Sequence, residues 1–307
     1  MRIPGFDPGL TEQYTGNLRR VIERDGSLNV ERSGASWRDF HPYLHLINMR
    51  WPGFFAILTA GYLLANTLFA VIYFSLGPNQ LQGEDASSVS GRFLSDFFFS
   101  AHTLTTVGYG SIAPHSLAAN VVAVIESMVG VLGFAVATGL LFGRVSRPSA
   151  KIGFSETMVV APYEEGTALE FRIANRRRND LMEVEARVLL MTVETRDGTP
   201  VRRYSQLKLE RSQVLFLALT WTIVHPIDAG SPLWSLTAGD LARQQAEFVI
   251  LLKAFDDTFS QTVFARYSYR HDEIQWGKRF APAFRMNRRG DMVIDLDRLG
   301  AVTDVSA

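Results

Sequence analysis

The chain has 307 residues, with 31 basic and 31 acidic side chains, no cysteine and 47% hydrophobic residues. The length suggests about two domains, since roughly 150 residues per domain is usual. Because a nucleic-acid surface requires a basic excess, the charge balance argues against a nucleic-acid partner. The lack of cysteine excludes disulfides, thiol nucleophiles and zinc–thiolate sites. The scattered histidines show no spacing typical of metal ligands or of a catalytic nucleophile, so we expect neither a cofactor nor an enzyme.

Two segments are long and apolar enough to cross a membrane. Residues 51–76 carry no charged side chain, and residues 117–143 carry one, Glu126. A bilayer core about 30 Å thick requires roughly 20 apolar residues in a helix. Two such segments favour transmembrane helices over a large soluble protein with two buried helices. We therefore predict a transmembrane domain over residues 51–148.

The basic residues indicate how these spans are oriented. The loop between them, residues 77–116, contains one basic residue, Arg92, against three acidic residues. Cytoplasmic flanks carry an excess of Lys and Arg, so both termini are predicted in the cytoplasm and the chain in the plasma (inner) membrane. The basic residues just before the first span and just after the second are Arg38, Arg50, Arg144, Arg147 and Lys151.

The region before the first span divides into two parts. Residues 1–36 show no clear periodicity and are predicted to be an irregular cytoplasmic arm. In residues 37–50, apolar residues recur at spacings of three and four, which indicates a helix with one apolar face. Its position favours an interfacial helix lying along the membrane, and the alternative is a helix packed on a soluble domain. The apolar face consists of Trp37, Phe40, Leu44 and Ile47.

The segment between the spans contains a turn-rich loop, 77–92, and then an apolar, aromatic stretch, 93–104. About 12 apolar residues are too few to span a bilayer and are typical of a re-entrant helix. The sequence TTVGYG follows at 105–110, and Pro114 ends regular structure there.

The TVGYG sequence is the filter loop of potassium channels, in which carbonyl oxygens replace the hydration shell of the ion, and the assignment rests on that match. Glycine at alternate positions permits the backbone dihedrals that the loop requires. Irregular backbone at membrane depth is tolerated only inside protein or along a watery path. The predicted filter residues are Thr106, Val107, Gly108, Tyr109 and Gly110, and the first four are predicted to bind permeant K⁺.

A second motif overlaps this loop. Gly108, Gly110 and Ala113 match the loose G-x-G-x-x-A dinucleotide-binding pattern. That pattern must follow a strand and open a helix. Pro114 and the apolar flanks exclude that context.

Four filter loops surround one axis in potassium channels, and this chain supplies one, so a homotetramer is predicted. The second span would then line the pore. Its glycines, Gly130, Gly133 and Gly139, serve either as hinges or as sites of close helix packing. Phe142, near the cytoplasmic end, either forms an apolar ring that gates by dewetting or faces lipid.

Two ionisable residues near the filter require partners. Glu126 would be costly in hydrocarbon unless it faces protein or water. We hypothesise that it pairs with His102 behind the filter and supports it, the alternative being a water-filled crevice.

The basic residues Arg50, Arg144, Arg147 and Lys151 fall at the predicted level of the cytoplasmic headgroups. Such clusters attract anionic lipid, at about 1 kcal/mol per residue. Setting the topology is the other role open to them.

Residues 149–307 change to a β pattern. Leu169, Phe171 and Ile173 alternate with charged residues, and Asp197-Gly198 indicates a hairpin turn. Many short strands with turns between them predict a β-sandwich. Further strands are predicted at 204–210, 216–224, 246–255, 262–269 and 274–280, with one helix near 236–245.

With these features assembled, the chain resembles the inward-rectifier potassium channels, specifically their prokaryotic branch. The segments 172–190, 219–234 and 265–280 are similar to blocks of that family's cytoplasmic domain. The resemblance implies an immunoglobulin-like cytoplasmic sandwich, a slide helix at 37–50, and gating where the second spans cross. It places Phe142 at that crossing and Arg147 in the lipid-sensitive linker. Thr105, Phe134 and Phe142 are the predicted residues of the pore lining and gate.

Several positions depart from the family pattern. Phe134 replaces the cavity acid of strong rectifiers, so weak block by magnesium or polyamines is expected. His102 stands where glutamate is often found, and no arginine follows Gly110. Filter support is therefore expected to differ in this chain.

Two other functions remain to be separated from a potassium channel. A ligand-gated channel with a nucleotide-binding domain would require a glycine-rich βαβ unit after Lys151, and the sequence contains none. A membrane-anchored β-domain acting as a sensor or scaffold would leave TTVGYG unexplained.

Overall fold

The chain forms two compact units, residues 33–147 and residues 148–307 together with 1–32. The computed structural model describes residues 9, 13, 16, 20–30, 34, 41–85, 87–146 and 150–305. The first unit is helical and the second is built of strands.

The helical unit contains two helices that are long and apolar enough to cross a membrane. The first begins and ends at the predicted residues, and the second continues two residues beyond 143. The four helices are α1 (Pro42–Asn48), α2 (Trp51–Leu76), α3 (Val89–Leu104) and α4 (Leu117–Val145).

The helix predicted at 37–50 is shorter in the structure. It begins at Pro42, which lies in its first turn, where the missing N–H costs nothing. Met49 and Arg50 have extended backbone conformations, and Arg50 is the N-cap residue of α2. Trp37 and Phe40 lie outside the described residues, so the structure does not test that part of the apolar face.

Helix α3 is the short helix predicted between the spans. It begins at Val89, four residues before the predicted start, because the Ser88 side chain accepts a hydrogen bond from Gly91 N and caps the helix. The helix ends at Leu104, immediately before the TTVGYG segment.

The core of the helical unit lies where α3 packs between α2 and α4. The rings of Tyr73 and Phe99 meet edge to face with centroids 5.0 Å apart. Two short strands, β1 (Leu81–Gln82) and β2 (Ala113–Pro114), pair and tie the segment after TTVGYG to the loop before α3. The buried apolar residues of this core are Phe69, Tyr73, Leu81, Phe99, Leu104 and Ala119.

The second unit contains two five-stranded sheets. In the first, the order is β11-β10-β6-β7 with β8 on β6, and in the second it is β12-β4-β5-β3 with β9 on β5. The strands are β3 (Ile152–Phe154), β4 (Met158–Tyr163), β5 (Gly166–Asn175), β6 (Leu181–Arg196), β7 (Thr199–Gln206), β8 (Gln213–Phe216), β9 (Thr220–Ile227), β10 (Glu247–Asp256), β11 (Gln261–Arg270) and β12 (Ile274–Trp276). Helix α5 (Ala238–Arg243) precedes β10, and two short ribbons follow: β13 (Lys278–Phe280) with β16 (Val302–Asp304), and β14 (Phe284–Met286) with β15 (Met292–Ile294).

The two sheets bury one common core, which makes the unit a β-sandwich. Alternate residues of β5, Leu169, Phe171 and Ile173, are buried in the same cluster as Phe248 and Ile250 of β10. Side chains of period two on facing sheets form such a core. The predicted fold class, two transmembrane helices with a re-entrant helix and an immunoglobulin-like β-sandwich, is confirmed.

The predicted turn at Asp197-Gly198 joins β6 to β7, and both residues have positive φ, 51° and 77°. Positive φ at both positions is the type I′ hairpin geometry. Two of the predicted strands are each divided in the structure, so their prediction as single strands is wrong. The segment 216–224 divides between β8 and β9, and 274–280 divides between β12 and β13 at Gly277, whose φ is 69°.

Part of the predicted N-terminal arm packs on the sandwich. Val21 and Ile22 are buried, and Val21 N donates a hydrogen bond to the Glu247 carboxylate at 3.0 Å. Arg20 and Arg24 both form ion pairs with Glu273. Residues 20–30 are therefore irregular but anchored to the β unit.

Candidate functional site: the TTVGYG segment and its supports

The backbone of the TTVGYG segment alternates in conformation. Thr106, Gly108 and Gly110 have φ of 60°, 56° and 78°. This left-handed region favours glycine, and Thr106 adopts it despite its β-branched side chain. In a regular strand, successive carbonyl oxygens point to opposite sides. Alternation of φ between negative and positive values turns the peptide groups, so that successive carbonyl oxygens can point to the same side.

The N–H groups of this segment are held by the end of α3. Val107 N and Gly108 N donate to the His102 carbonyl oxygen at 2.9 and 3.2 Å, and Thr106 N donates to Thr103 O at 3.0 Å. Thr105 Oγ1 donates to Ala101 O at 2.6 Å. The N–H groups of Thr106, Val107 and Gly108 are therefore held by carbonyl oxygens at the end of α3.

An aromatic ring of the segment contacts a ring of α3. The His102 and Tyr109 rings meet edge to face with centroids 4.8 Å apart. Because Tyr109 is in the segment and His102 is in α3, this contact holds the segment against the helix that precedes it.

The hypothesised pair of His102 and Glu126 is not present within the described chain. Both carboxylate oxygens of Glu126 are engaged elsewhere, one with Tyr73 Oη at 2.7 Å and one with Ser100 Oγ at 2.5 Å. The His102 ring instead contacts Tyr109. Glu126 is fully buried, so the alternative of a water-filled crevice is also contradicted.

Gly130 allows α4 to approach the end of α3 closely. A Cβ atom at this position would lie 2.0 Å from the Leu104 carbonyl oxygen, which is not a possible contact. Cβ atoms at Gly133 and Gly139 would meet nothing within 4 Å in the chain. Of the three hinge candidates, Gly130 is therefore explained by close packing.

The predicted pore-lining residues are exposed on the single chain. Thr105 and all of residues 106–110 are exposed, with Val107 and Tyr109 at 52% and 74% of their maximum. Phe134 and Phe142 on α4 are 77% and 71% exposed. The site is therefore an open apolar and carbonyl-bearing surface in one chain.

The residues of the predicted basic cluster lie in different environments. Arg50 is exposed, whereas the Arg144 guanidinium donates to the carbonyl oxygens of Leu46, Ile47 and Met49 at 2.5–2.9 Å. It also lies 4.5 Å from the Trp51 ring centroid. Arg147 lies outside the described residues, and Lys151 is exposed at the start of the β unit.

Sequence reasoning missed the partners that occupy Glu126 and Arg144. The signals available were the polar residues Asn66 and Tyr73 within an otherwise apolar span, and Ser100 within an aromatic helix. Among the described residues, no group of three or more His, Cys, Asp or Glu side chains is placed to hold a metal ion.

Two family models match the chain. Residues 152–307 match the inward rectifier potassium channel C-terminal domain, and residues 57–147 match an ion channel model. The second match covers most of α2, all of α3 and α4 and the TTVGYG segment, and the first covers the sandwich.

Whole-chain relatives agree with these matches. The inward rectifier potassium channel Kirbac3.1 of Paramagnetospirillum magnetotacticum is 35% identical over 91% of this chain and 94% of its own length. The ATP-sensitive inward rectifier potassium channel 14 of Rattus norvegicus is 28% identical over 91% of this chain and 68% of its own length. The human inward rectifier potassium channel 18 is 27% identical, with shares of 91% and 69%.

A pair of membrane helices around a TVGYG loop, joined to a β-sandwich, defines a potassium-selective ion channel of the membrane. The chain belongs to the inward rectifier potassium channel family and is of the prokaryotic type. It is a channel and not an enzyme, and the sensor or scaffold alternative is not favoured.

Proposed function

We propose that four copies of this chain form one pore, in which the carbonyl oxygens of Thr106, Val107, Gly108 and Tyr109 bind permeant K⁺. The observation that carries the proposal is the direction of the N–H groups: those of Val107 and Gly108 donate to His102 O behind the segment. The opposite side then offers carbonyl oxygens, which replace the hydration shell of K⁺. The ions are cargo, and no cofactor is required.

The exposure of the segment supports the tetramer. Residues 105–110 are exposed on one chain, although they lie between two membrane helices. Unpaired carbonyl groups cannot face lipid, because each would cost several kcal/mol. Three further copies around one axis would enclose these groups and line them along a path for ions.

In the proposed tetramer, the exposed residues of α4 face the central axis and have distinct roles. Phe142 from four copies forms an apolar constriction near the cytoplasmic end, and such constrictions gate by dewetting. Phe134 lines the cavity below the filter in place of an acid, so block by magnesium or polyamines is weak. Gly133 and Gly139 are the remaining hinge candidates.

Anionic lipid and membrane orientation complete the proposal. Arg50 is exposed next to the first span and is the described basic residue best placed for a lipid headgroup. Residues 20–30 and 150–305 belong to one compact unit, which supports the proposal that the segments flanking the helical unit share one side of the membrane. The basic flanks support the cytoplasm as that side.

A substitution at Gly108 tests the filter assignment. Gly108 has φ of 56°, and an alanine there would be strained by about 1–2 kcal/mol in each of four chains. K⁺ flux into proteoliposomes is expected to lose its selectivity over Na⁺ or to disappear in Gly108→Ala. Gly61→Ala, in α2 with open space around it, is the matched control. Selective K⁺ flux of wild-type size in Gly108→Ala would refute the assignment.

A further inference from the structure

Four polar side chains meet in the middle of the helical unit, on three different helices. Asn66 and Tyr73 come from α2, Ser100 from α3 and Glu126 from α4, and each is at most 1% exposed. We call these four residues the polar cluster. It lies just before the end of α3 that holds the TTVGYG segment.

The orientation of the Asn66 amide is fixed by a backbone group. Asn66 Nδ2 lies 2.8 Å from the Tyr62 carbonyl oxygen. A carbonyl only accepts hydrogen bonds, so the amide nitrogen must face it. The other end of the amide, the acceptor Oδ1, therefore faces Ser100 Oγ at 3.2 Å.

Ser100 then lies between two acceptors. Its Oγ is 3.2 Å from Asn66 Oδ1 and 2.5 Å from Glu126 Oε1. A hydroxyl carries one hydrogen and cannot donate to both. If Glu126 were a carboxylate, one of the two oxygens would be left without a donor in a fully buried place, which costs about 1–3 kcal/mol.

We propose that Glu126 is a neutral carboxylic acid in the resting channel and that it fixes the position of α3, and thereby of the filter, between the two spans. The acid hydrogen on Oε1 is donated to Ser100 Oγ, Ser100 donates to Asn66 Oδ1, and Tyr73 Oη donates to Glu126 Oε2. Every polar atom along this chain of hydrogen bonds then has a partner. Glu126 is a positioning residue, since it touches no ion.

The charges around the polar cluster support the same conclusion. Within the described residues, no ion pair involves Glu126, and Tyr73 is the only titratable group that forms a hydrogen bond with it. Asp96, one turn before Ser100 on α3, is also buried and adds a second acid to this region. An unpaired carboxylate at membrane depth is expensive, and a neutral acid avoids that cost.

Infrared spectroscopy of the reconstituted full-length channel tests the proton directly. The wild-type minus Glu126→Gln spectrum near neutral pH should contain one carboxylic-acid carbonyl band that shifts in D₂O. Carboxylate bands in that difference would overturn the proposal. This readout does not require conduction, so it is independent of the filter assignment on which the positioning role rests.

Selective flux tests the positioning role. Glutamine keeps each hydrogen bond, since its amide nitrogen donates to Ser100 and its oxygen accepts from Tyr73. Glu126→Gln should therefore assemble and keep K⁺ over Na⁺ selectivity within about twofold of wild type, whereas Glu126→Leu should lose it at least tenfold or fail to assemble. Failure of Glu126→Gln to assemble or select, or full selectivity in Glu126→Leu, would overturn this role.

Discussion

At the residue scale, His225 shows how one buried group links the sandwich to pH. Its Nδ1 lies 2.6 Å from the Lys208 carbonyl oxygen, which only accepts, so Nδ1 carries the hydrogen. Nε2 then accepts from Ser231 Oγ at 2.7 Å. Burial lowers the pKa of His225 from its ordinary value of 6.5, because the neutral ring is favoured inside the protein.

The lowered pKa predicts a loss of stability on acidification. Between the folded and unfolded pKa values the unfolded chain binds the extra proton, so the free energy of unfolding falls as the pH drops below 6.5. Denaturation of the β unit in the full-length protein, followed by circular dichroism from pH 7.5 to 5, measures this. His225→Gln should have a flatter pH dependence, and an unchanged slope would contradict the prediction.

At the element scale, Arg144 joins α4 to the end of α1. Its guanidinium satisfies three carbonyl groups near the C-terminus of α1, where a cation is favoured. It also packs against the rings of Trp51 and Phe54 at the start of α2. A shift of the C-terminal end of α4 must therefore move α1 or break these bonds.

Because of these contacts between α4, α1 and α2, we predict that lysine cannot replace Arg144. A lysine keeps the charge but lacks the fork that reaches three carbonyls, and hydrogen bonds to charged groups are worth about 1.5–3 kcal/mol each. Arg144→Lys should change the maximal K⁺ flux while leaving its dependence on anionic lipid unaltered. Arg50→Gln, at the exposed arginine, should shift the lipid dependence instead. Wild-type flux in Arg144→Lys together with a lipid shift in Arg144→Gln would assign Arg144 to lipid binding.

A second prediction at this scale separates packing from hinge motion at Gly130. An added Cβ would lie 2.0 Å from Leu104 O, so α4 and α3 must move apart next to the TTVGYG segment. Gly130→Ala should lower the yield of the proposed tetramer and its thermal stability, measured by size-exclusion chromatography and a melting assay. Gly61→Ala again serves as the control. A stable Gly130→Ala tetramer altered only in opening would favour a hinge.

At the scale of the whole molecule, the sequence predicted those features that are determined by residues close to one another in the chain. The spans, the TTVGYG segment and the Asp197-Gly198 turn are local signals of hydropathy, motif and backbone preference. The partners of Glu126 are 26 and 53 residues away, and the carbonyls that hold Arg144 are 95–98 residues away. Sequence spacing does not specify such pairings. The His102–Glu126 hypothesis therefore rested only on the polar character of the two side chains.

The anchoring of residues 20–30 to the sandwich also depends on residues that are distant in the sequence. The lack of periodicity in residues 1–36 predicted an irregular arm and gave no sign of its contacts, yet backbone groups of residues 20–30 bond to Glu247 and to Ser268 of the sandwich. A segment without regular structure can thus be part of a compact unit when buried side chains on another element satisfy its polar groups.

The most direct test of the central claim is a bi-ionic recording from the purified channel in a planar bilayer containing anionic lipid. With K⁺ on one side and Na⁺ on the other, the current should reverse close to the K⁺ equilibrium potential, and it should carry K⁺ at least tenfold better than Na⁺. A reversal potential near zero in active protein, or the same reversal in Gly108→Ala as in wild type, would contradict a potassium-selective pore formed by Thr106–Gly110.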